Sequence, residues 1–138
     1  MKTFEVKVIA IDKMFYDGKC RQLIISAADG SMGIMANHEN SVTVLVEGPL
    51  RIQLEDGTWL EAVTGVGHVR VENNQVTVLV DFAEKPEEID ELRAREALER
   101  AQEAMRQKQS IQEYHMSQAN IARAMARLAA KKRYTMGK

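Results

Sequence analysis

The chain has 138 residues, a net charge of −1 at pH 7 and an apolar fraction of 45%. It contains no apolar run near the roughly 20 residues of a membrane-spanning helix, and its single cysteine, Cys20, excludes an internal disulfide and a thiolate metal cluster. Because the first residues also lack the apolar region of a secretory signal, we expect a cytoplasmic protein.

The first part of the chain has the pattern of β-structure. Phe4–Ile9 and Leu50–Leu54 alternate apolar and polar residues, as strands with one buried face do. Asp56-Gly57 and Asn73-Asn74 lie between such runs, where hairpin turns are expected. Since no segment before residue 84 is long enough for a helical crossover between parallel neighbours, the pattern predicts an antiparallel sandwich or barrel. Its predicted core consists of Val6, Val8, Leu23, Ile25, Val44, Leu50, Ile52, Leu54, Val63, Val78 and Val80.

The chain changes character near residue 84, so we predict two domains, residues 1–84 and 85–138. The second part has many alanines, no proline after Pro86 and a helical period. Pro86 suits the first turn of a helix, and the acids after it complement the helix dipole. A bend at residues 108–110 and a second helix over about residues 113–133 complete a predicted two-helix hairpin. Its predicted apolar faces are Ile89, Leu92, Leu98, Ala101 and Met105 on the first helix, and Tyr114, Ile121, Met125 and Leu128 on the second.

Charge is divided unevenly between these two parts. Residues 1–84 have 7 bases and 12 acids, whereas residues 85–138 have 12 bases and 8 acids. Arg123, Arg127 and Lys131 are spaced by four residues in a segment without acids, so they share one helix face. Such a face is commonly only solvated. It also attracts anions, and the residues alone leave open a protein acidic patch, a nucleotide phosphate, nucleic acid or a lipid.

The predicted helix faces are narrow and rich in alanine. Apolar burial stabilises by about 25 cal/mol per Å², so small side chains contribute little. We therefore expect the helical part to be held weakly, such that a ligand worth a few kcal/mol changes its position.

Five segments, taken in order, resemble the epsilon subunit of bacterial F-type (rotary) ATP synthase, and together they span nearly the whole chain. They are Met14–Gly18, Asp29–His38, Gly67–Val80, Ile89–Ala94 with its [I/L]DxxRA pattern, and Arg123–Leu128 with its pair of arginines. Two places depart from the family pattern. Ala36–Asn40 replaces a Pro-Gly-His-x-Pro segment, and Val66 stands where a double glycine precedes the last hairpin, so that only Gly67 is retained.

The resemblance implies an α+β fold, in which a ten-stranded antiparallel β-sandwich is followed by an antiparallel two-helix hairpin. It implies a non-catalytic rotor subunit of the central stalk, peripheral to the cytoplasmic face of the membrane, that couples proton transport to ATP synthesis. The implied partners are the gamma subunit, the c-ring and the alpha and beta subunits. The helical pair would pack compactly or extend into the catalytic head and inhibit ATP hydrolysis. ATP would be a regulatory ligand, and no cofactor would be required.

The resemblance also implies three sets of site residues. Carboxylates accept from the adenine amino group and arginines pair with phosphates, in an ATP-binding set of Glu84, Ile89, Asp90, Arg93, Ala94, Arg100, Arg123 and Arg127. The set that contacts an acidic segment of the beta subunit during inhibition is Arg123, Arg127, Lys131, Lys132 and Arg133. The set that docks on the shaft and c-ring is Met32, Gly33, Ile34 and His38.

Two other functional classes are alternatives to this one. A freestanding ATP sensor would use the same arginines without assembly. A small hydrolase would need an arranged nucleophile and base, but Cys20 has no neighbouring base, and His38, His68 and His115 lack metal-ligand spacing. We therefore predict no catalytic residue and no metal site. There is no P-loop, so an ATP site would be of another kind, and the basic tail lacks the interleaved aromatics typical of nucleic-acid binding.

Overall fold

The computed structural model describes residues 2–107 and 110–136. The chain divides into two compact units, one that ends at Lys85 and one that begins at Pro86. The first unit consists of β1 (Phe4–Ala10), β2 (Met14–Ala27), β3 (Gly30–Met35), β4 (Ser41–Leu45), β5 (Gly48–Leu54), β6 (Trp59–Thr64), β7 (Gly67–Glu72), β8 (Gln75–Val80) and β9 (Ala83–Glu84). The second unit consists of a 3₁₀ turn (Pro86–Glu88), α1 (Glu91–Arg106) and α2 (Ile111–Met136).

The nine strands form one hydrogen-bonded network that folds into a sandwich. Its order is β1-β8-β7-β4-β2-β5-β6-β9, and β2 pairs in addition with β1 and β3. The first half of β2 pairs with β1 and the second half with β3 and β5, with a shift of register between Cys20 and Gln22. Such irregularities bend a strand. Because this one long strand serves both layers, the described residues contain nine strands where about ten were expected.

One pairing differs from the expected antiparallel pattern. The first and eighth strands run in parallel, from Glu5 opposite Gln75 to Ala10 opposite Val80, whereas the other strand pairs are antiparallel. A parallel pair was not expected because no crossover helix precedes residue 84. The six strands between β1 and β8 make the connection instead.

The core of the sandwich lies between its two layers, and nine of the eleven predicted core residues are buried. Leu54 is half-buried and packs against the core. The prediction for Val44 is wrong, since 68% of its surface is exposed. In β4 it is Leu45 that turns inward, so Val42 and Val44 both lie on the outer face. Because three valines surround Leu45, apolar residues occur on both faces of this strand. Alternation of apolar residues therefore does not identify the buried face.

Both helices begin with a side-chain cap. Asp90 is the N-cap of α1, and the Ser110 hydroxyl accepts a hydrogen bond from the backbone N–H of Glu113 at 3.2 Å. These are the residue types that satisfy unpaired N–H groups at helix starts. Because α1 begins only after Asp90, Pro86 lies in the preceding 3₁₀ turn and not in the first turn of α1. The second helix, α2, begins two residues earlier than predicted. Of the predicted bend, Lys108 and Gln109 lie outside the described residues.

The two helices meet through small residues, of which Ala101 was among the predicted inward residues. Ala94 and Ala101 of α1 are buried, as are Ser117 and Ala124 of α2, and all four line one groove between the helices. Small side chains allow close approach of the two backbones but bury little apolar surface. The predicted inward residues that are largely exposed instead are Leu92, Tyr114 and Met125.

Candidate functional site

A groove of about 350 Å³ lies between α1 and α2, a size within the usual range for small-molecule sites. It brings together four residues of the predicted ATP-binding set. Arg100 and Ala94 come from the first helix, and Arg123 and Arg127 come from the second. Its remaining lining residues are Ala97, Ala101, Ala104, Ser117, Asn120 and Ala124.

The charge of this groove is positive. Three arginines line it, and none of the lining residues in the described ranges has a carboxylate. The guanidinium of Arg123 donates a hydrogen bond to the side-chain oxygen of Asn120, one turn earlier on the same helix. Planar guanidinium groups bind phosphate oxygens through two parallel bonds. The groove therefore suits an anionic ligand with several oxygens.

Three other residues of the predicted ATP set, Ile89, Asp90 and Arg93, lie at the start of the helical unit. Asp90 caps the first helix, while Arg93 is exposed. Ile89 is buried, and its backbone N–H donates to the carbonyl of Pro86 at 3.2 Å. Glu84 belongs to the sandwich unit, where its strand pairs with β6 opposite Val63.

The five basic residues of the predicted inhibitory set have different surroundings along α2. Arg123 and Arg127 are half-buried in the groove. The ammonium group of Lys131 donates to the carbonyl oxygen of Pro86 at 3.4 Å and lies 5.5 Å from the ring centre of Tyr134. Lys132 and Arg133 are exposed. The closed hairpin thus turns three of the five bases towards its own residues.

The four residues of the predicted docking set lie on β3 and in the loop that follows it. Ile34 is fully buried in the core, so its side chain is not available to a partner. Met32 is half-buried and packs against the core, whereas Gly33 is exposed. His38 is half-buried, and its Nδ1 lies 2.8 Å from the carbonyl oxygen of Glu39.

An apolar surface that the sequence did not predict lies on the outer face of the sandwich. The strand registers place Val44, His68, Leu79 and Ile9 side by side across β4, β7, β8 and β1. We call these four residues the outer apolar row. Large exposed apolar patches are uncommon on monomers and mark interaction surfaces. The phase error in β4 concealed this row, because Val44 had been assigned to the core.

A shallow groove of about 430 Å³ continues from the outer apolar row. Ile11 and Val66 are exposed beside it, and it is lined at its base by Gly67 and Val80. Gly67 has to be glycine, because a Cβ there would lie 1.8 Å from the carbonyl oxygen of Leu79. This close approach of two strands shapes the floor of the groove.

The structure offers no other chemical centre in the ranges it describes. Burial raises the pKa of the Cys20 thiol to about 12, which keeps it protonated and unreactive. Residues 2–107 and 110–136 contain no group of three His, Cys, Asp or Glu side chains able to hold a metal ion. In the same ranges, neither helix has the length and hydropathy to cross a membrane.

Sequence reasoning missed two groove residues, Ser117 and Asn120. Both lie on the helix face of Arg123 and Arg127, since Asn120 precedes these arginines by three and seven residues and Ser117 precedes Asn120 by three, so the helical spacing already pointed to them. They were overlooked because polar residues without charge gave no signal for an anion site.

Two family models match the chain. One is described as the ATP synthase delta/epsilon chain β-sandwich domain and matches residues 3–86. The other is described as the long α-helix domain of the same chains and matches residues 87–132. Among curated relatives, an ATP synthase epsilon chain of Ruminiclostridium cellulolyticum is 42% identical over 133 residues, which is 96% of this chain and 98% of the relative. A chloroplastic epsilon chain of Porphyra purpurea is 31% identical over 93% of this chain and 95% of its own.

Solved structures have the same fold at lower identity. A chain in a cryo-EM structure of the Euglena gracilis mitochondrial ATP synthase superposes with a TM-score of 0.77 at 24% identity, over 91% of this chain and 79% of its own. A chain from the central stalk and c-ring of the Tetrahymena thermophila mitochondrial enzyme has a TM-score of 0.62 at 15% identity, over 92% and 95%. The resemblance seen in the motifs is thereby confirmed across both units, and the chain belongs to the ATP synthase delta/epsilon chain family.

Proposed function

We propose that the chain is a non-catalytic rotor subunit in the central stalk of an F-type ATP synthase, where it couples proton transport to ATP synthesis. Its membership of the delta/epsilon family over both units supports this role, as do relatives near 40% identity that are ATP synthase epsilon chains. The complex would hold it at the cytoplasmic face of the membrane. Its partners would be the gamma subunit, the c-ring and the alpha and beta subunits.

The sandwich unit would provide the docking surfaces. Val44 and Leu79 of the outer apolar row are exposed, and exposed apolar patches mark interaction surfaces, so we assign this row to the gamma subunit. The segment that includes Met32, Gly33 and His38 would face the c-ring. Since Ile34 is buried, it would support this segment from the core without touching a partner.

The helical unit would sense ATP. The observation that supports this most is the convergence of Arg100, Arg123 and Arg127 on one groove with Ala94. Arg100 is distant in sequence from Arg123 and Arg127, and only the folded hairpin brings it to the same groove. A ligand that binds this closed hairpin and not an opened one stabilises the closed form by its binding free energy.

The same arginines would make ATP sensing and inhibition mutually exclusive. In the closed hairpin, Arg123 and Arg127 line the groove, so their guanidinium groups are not presented to an acidic segment of the beta subunit. Opening the hairpin would transfer them to that segment and restrain ATP hydrolysis. Because the buried residues between the two helices are mostly alanines, opening the hairpin would expose little apolar surface and would cost little free energy.

Calorimetric titration with ATP tests the sensing role. Arg123→Ala combined with Arg127→Ala removes two charge-assisted contacts, so we expect affinity to fall by roughly tenfold or more. The matched control is Lys132→Ala with Arg133→Ala, which removes the same charge from exposed positions of the same helix. Equal affinity in both double variants would refute the groove as the ATP site.

Truncation tests the inhibitory role in the assembled complex. A chain that ends at Glu87 retains the sandwich unit and removes the helices. We expect the complex to retain coupling and to hydrolyse ATP faster than the complex with the full chain at low ATP. Unaltered hydrolysis under every nucleotide condition would remove inhibition from the proposed function.

A freestanding ATP sensor is the second candidate, and the groove by itself favours it. The exposed outer apolar row favours assembly, since a sensor without partners has no use for that surface. Copurification of the chain with the rotor would decide between the two candidates.

A further inference from the structure

We propose that Asn74 is a positioning residue whose side-chain amide joins three segments of the sandwich and sets the conformation of its docking end. The joined segments are the turn between β7 and β8, the loop between β3 and β4 (residues 36–40), and the residue before β1. We call this set of hydrogen bonds the asparagine clasp. It deepens the docking role proposed above and depends on that role.

The turn between β7 and β8 supplies one side of the clasp. Asn73 and Asn74 both have positive φ, 51° and 63°, which is the conformation of two-residue hairpin turns and one that asparagine tolerates well. Glu72 pairs with Gln75 on either side of them. The turn therefore projects the two asparagines from the end of the sheet.

The loop of residues 36–40 supplies the other side. The side-chain oxygen of Asn74 accepts a hydrogen bond from the backbone N–H of Asn37 at 2.6 Å. In the opposite direction, the side-chain oxygen of Asn40 accepts from the backbone N–H of Asn73 at 2.9 Å. Two reciprocal side-chain bonds thus connect loop and turn across 33 to 37 residues of sequence.

The third segment uses the other end of the same amide. The side-chain NH₂ of Asn74 donates to the carbonyl oxygen of Thr3 at 3.4 Å. An amide has both a donor and an acceptor, whereas a carboxylate accepts only and a hydrocarbon does neither. Neither a carboxylate nor a hydrocarbon at position 74 could therefore make both bonds.

The clasp bears directly on both proposed docking surfaces. His38 lies between the two clasped residues Asn37 and Asn40. The loop then continues into β4, which carries Val42 and Val44 on the outer face. The segment also departs from the Pro-Gly-His-x-Pro pattern. Where proline would limit the backbone covalently, this chain has Asn40, whose side chain limits it through a hydrogen bond.

Two measurements on the full chain test the clasp. Amide hydrogen exchange reports directly on the Asn37 and Asn73 N–H groups. Binding to the purified gamma subunit–c-ring complex reports on docking. The variants are Asn74→Ala, which removes donor and acceptor, and Asn74→Asp, which retains the acceptor for Asn37. The control is Asp56→Ala, which removes comparable bonds of 2.9 and 2.6 Å to Thr58 in the β5–β6 turn.

We expect Asn74→Ala to abolish the exchange protection of Asn37 and to raise the Kd for the gamma subunit–c-ring complex by roughly tenfold. Asn74→Asp should retain protection at Asn37 and bind more tightly than the alanine variant. Asp56→Ala should lower stability but leave the Kd unchanged. This pattern separates positioning from a general loss of stability.

Two results would overturn the proposal. If the wild-type chain binds the complex and Asn74→Ala binds equally well, the clasp has no part in docking, although docking itself stands. If the wild-type chain does not bind the complex at all, docking and the role of the clasp both fall, even where exchange at Asn37 remains protected.

Discussion

The carboxylate of Asp90 accepts a hydrogen bond from the backbone N–H of Arg93 at 3.1 Å. The backbone carbonyl of Asp90 also accepts the first intrahelical bond, from Ala94 at 3.0 Å. Asp90 is therefore the N-cap of α1, and its carboxylate satisfies an N–H group that a helix start otherwise leaves unpaired. Asp90 and Arg93 both belong to the predicted ATP-binding set. The structure joins the two residues through the backbone of Arg93.

The first prediction concerns this cap. Asp90→Ala should lower the stability of the helical unit by about 1 kcal/mol, whereas Asp90→Asn should lower it less because asparagine caps almost as well. Thermal unfolding followed by circular dichroism and exchange of the Arg93 amide would measure both effects. Equal losses from the two variants would show that the negative charge at the helix N-terminus matters more than the hydrogen bond.

The second prediction concerns Gly67, the first residue of β7. In Gly67→Ala the new methyl group would meet backbone atoms of Leu79 and Val80 at 1.8 and 2.8 Å, and neither can move without displacing β8. We expect a loss of about 3 kcal/mol in the free energy of unfolding, the upper end for overpacking, measured by urea denaturation. Gly33→Ala is the control, since its nearest neighbour is the side chain of Gln22 at 3.5 Å. It should stay within about 1 kcal/mol of the wild type, and similar losses at both positions would contradict the steric explanation.

The third prediction concerns pH. Burial raises the pKa of the Cys20 thiol from 9.0 to about 12, because the thiolate is poorly solvated in the core. In the unfolded chain the thiol ionises near its usual pKa, so the unfolded state binds fewer protons between these two values. The thiol contribution to stability is therefore fully present below about pH 9 and is lost as the pH rises towards 12.

Cys20→Ser and Cys20→Ala test this dependence. Replacing the thiol with a group that does not ionise should remove part of the decline in unfolding free energy above pH 9. Alkylation of native Cys20 by iodoacetamide should be slow at neutral pH and should accelerate only when denaturant opens the sandwich. Rapid alkylation without denaturant would show that the thiol is accessible.

The fourth prediction concerns the outer apolar row. Val44→Lys places a charge at the β4 end of that row, where Val44 lies opposite His68. Since 68% of Val44 is already exposed, we expect the isolated chain to unfold at the same urea concentration. Binding to the gamma subunit should weaken by roughly tenfold or more, because a charge would be buried without a partner.

The control for this surface is Glu55→Gln, which changes the net charge by the same amount at an exposed turn residue. It should bind the gamma subunit as the wild type does. Equal binding by Val44→Lys and the wild type would place the gamma subunit on another surface of the sandwich.

Local chemistry allowed much of this structure to be predicted. Alternation of apolar residues identified most strands, and Asp56-Gly57 and Asn73-Asn74 marked two hairpin turns where the structure has them. The spacing of Arg123 and Arg127 placed both on one helix face, and the structure has both in one groove. The order of short motifs identified the family. Each of these features depends on residues within about one turn of each other, or on a simple period.

Long-range packing determined what the sequence did not reveal. Within residues 42–46, apolar side chains occur on both faces of the strand. Only packing selects Leu45 for the core and leaves Val44 outside. The parallel pairing of β1 with β8 has no local signal, because the two strands are joined through six others. The sequence also did not reveal which residues meet between α1 and α2, where close approach of the two backbones favours Ala94 and Ala124 over larger neighbours.

By itself, then, the sequence determined the type of most segments, the change of pattern near residue 84 and the family, because these follow from covalent preferences and periodic patterns. The tertiary structure decided which surfaces and grooves those segments create together. Arg100 shares a groove with Arg123, and Asn74 reaches Asn37, only because folding brings together residues that are 23 and 37 positions apart. Such contacts depend on the packing of whole elements, and no short stretch of sequence specifies them.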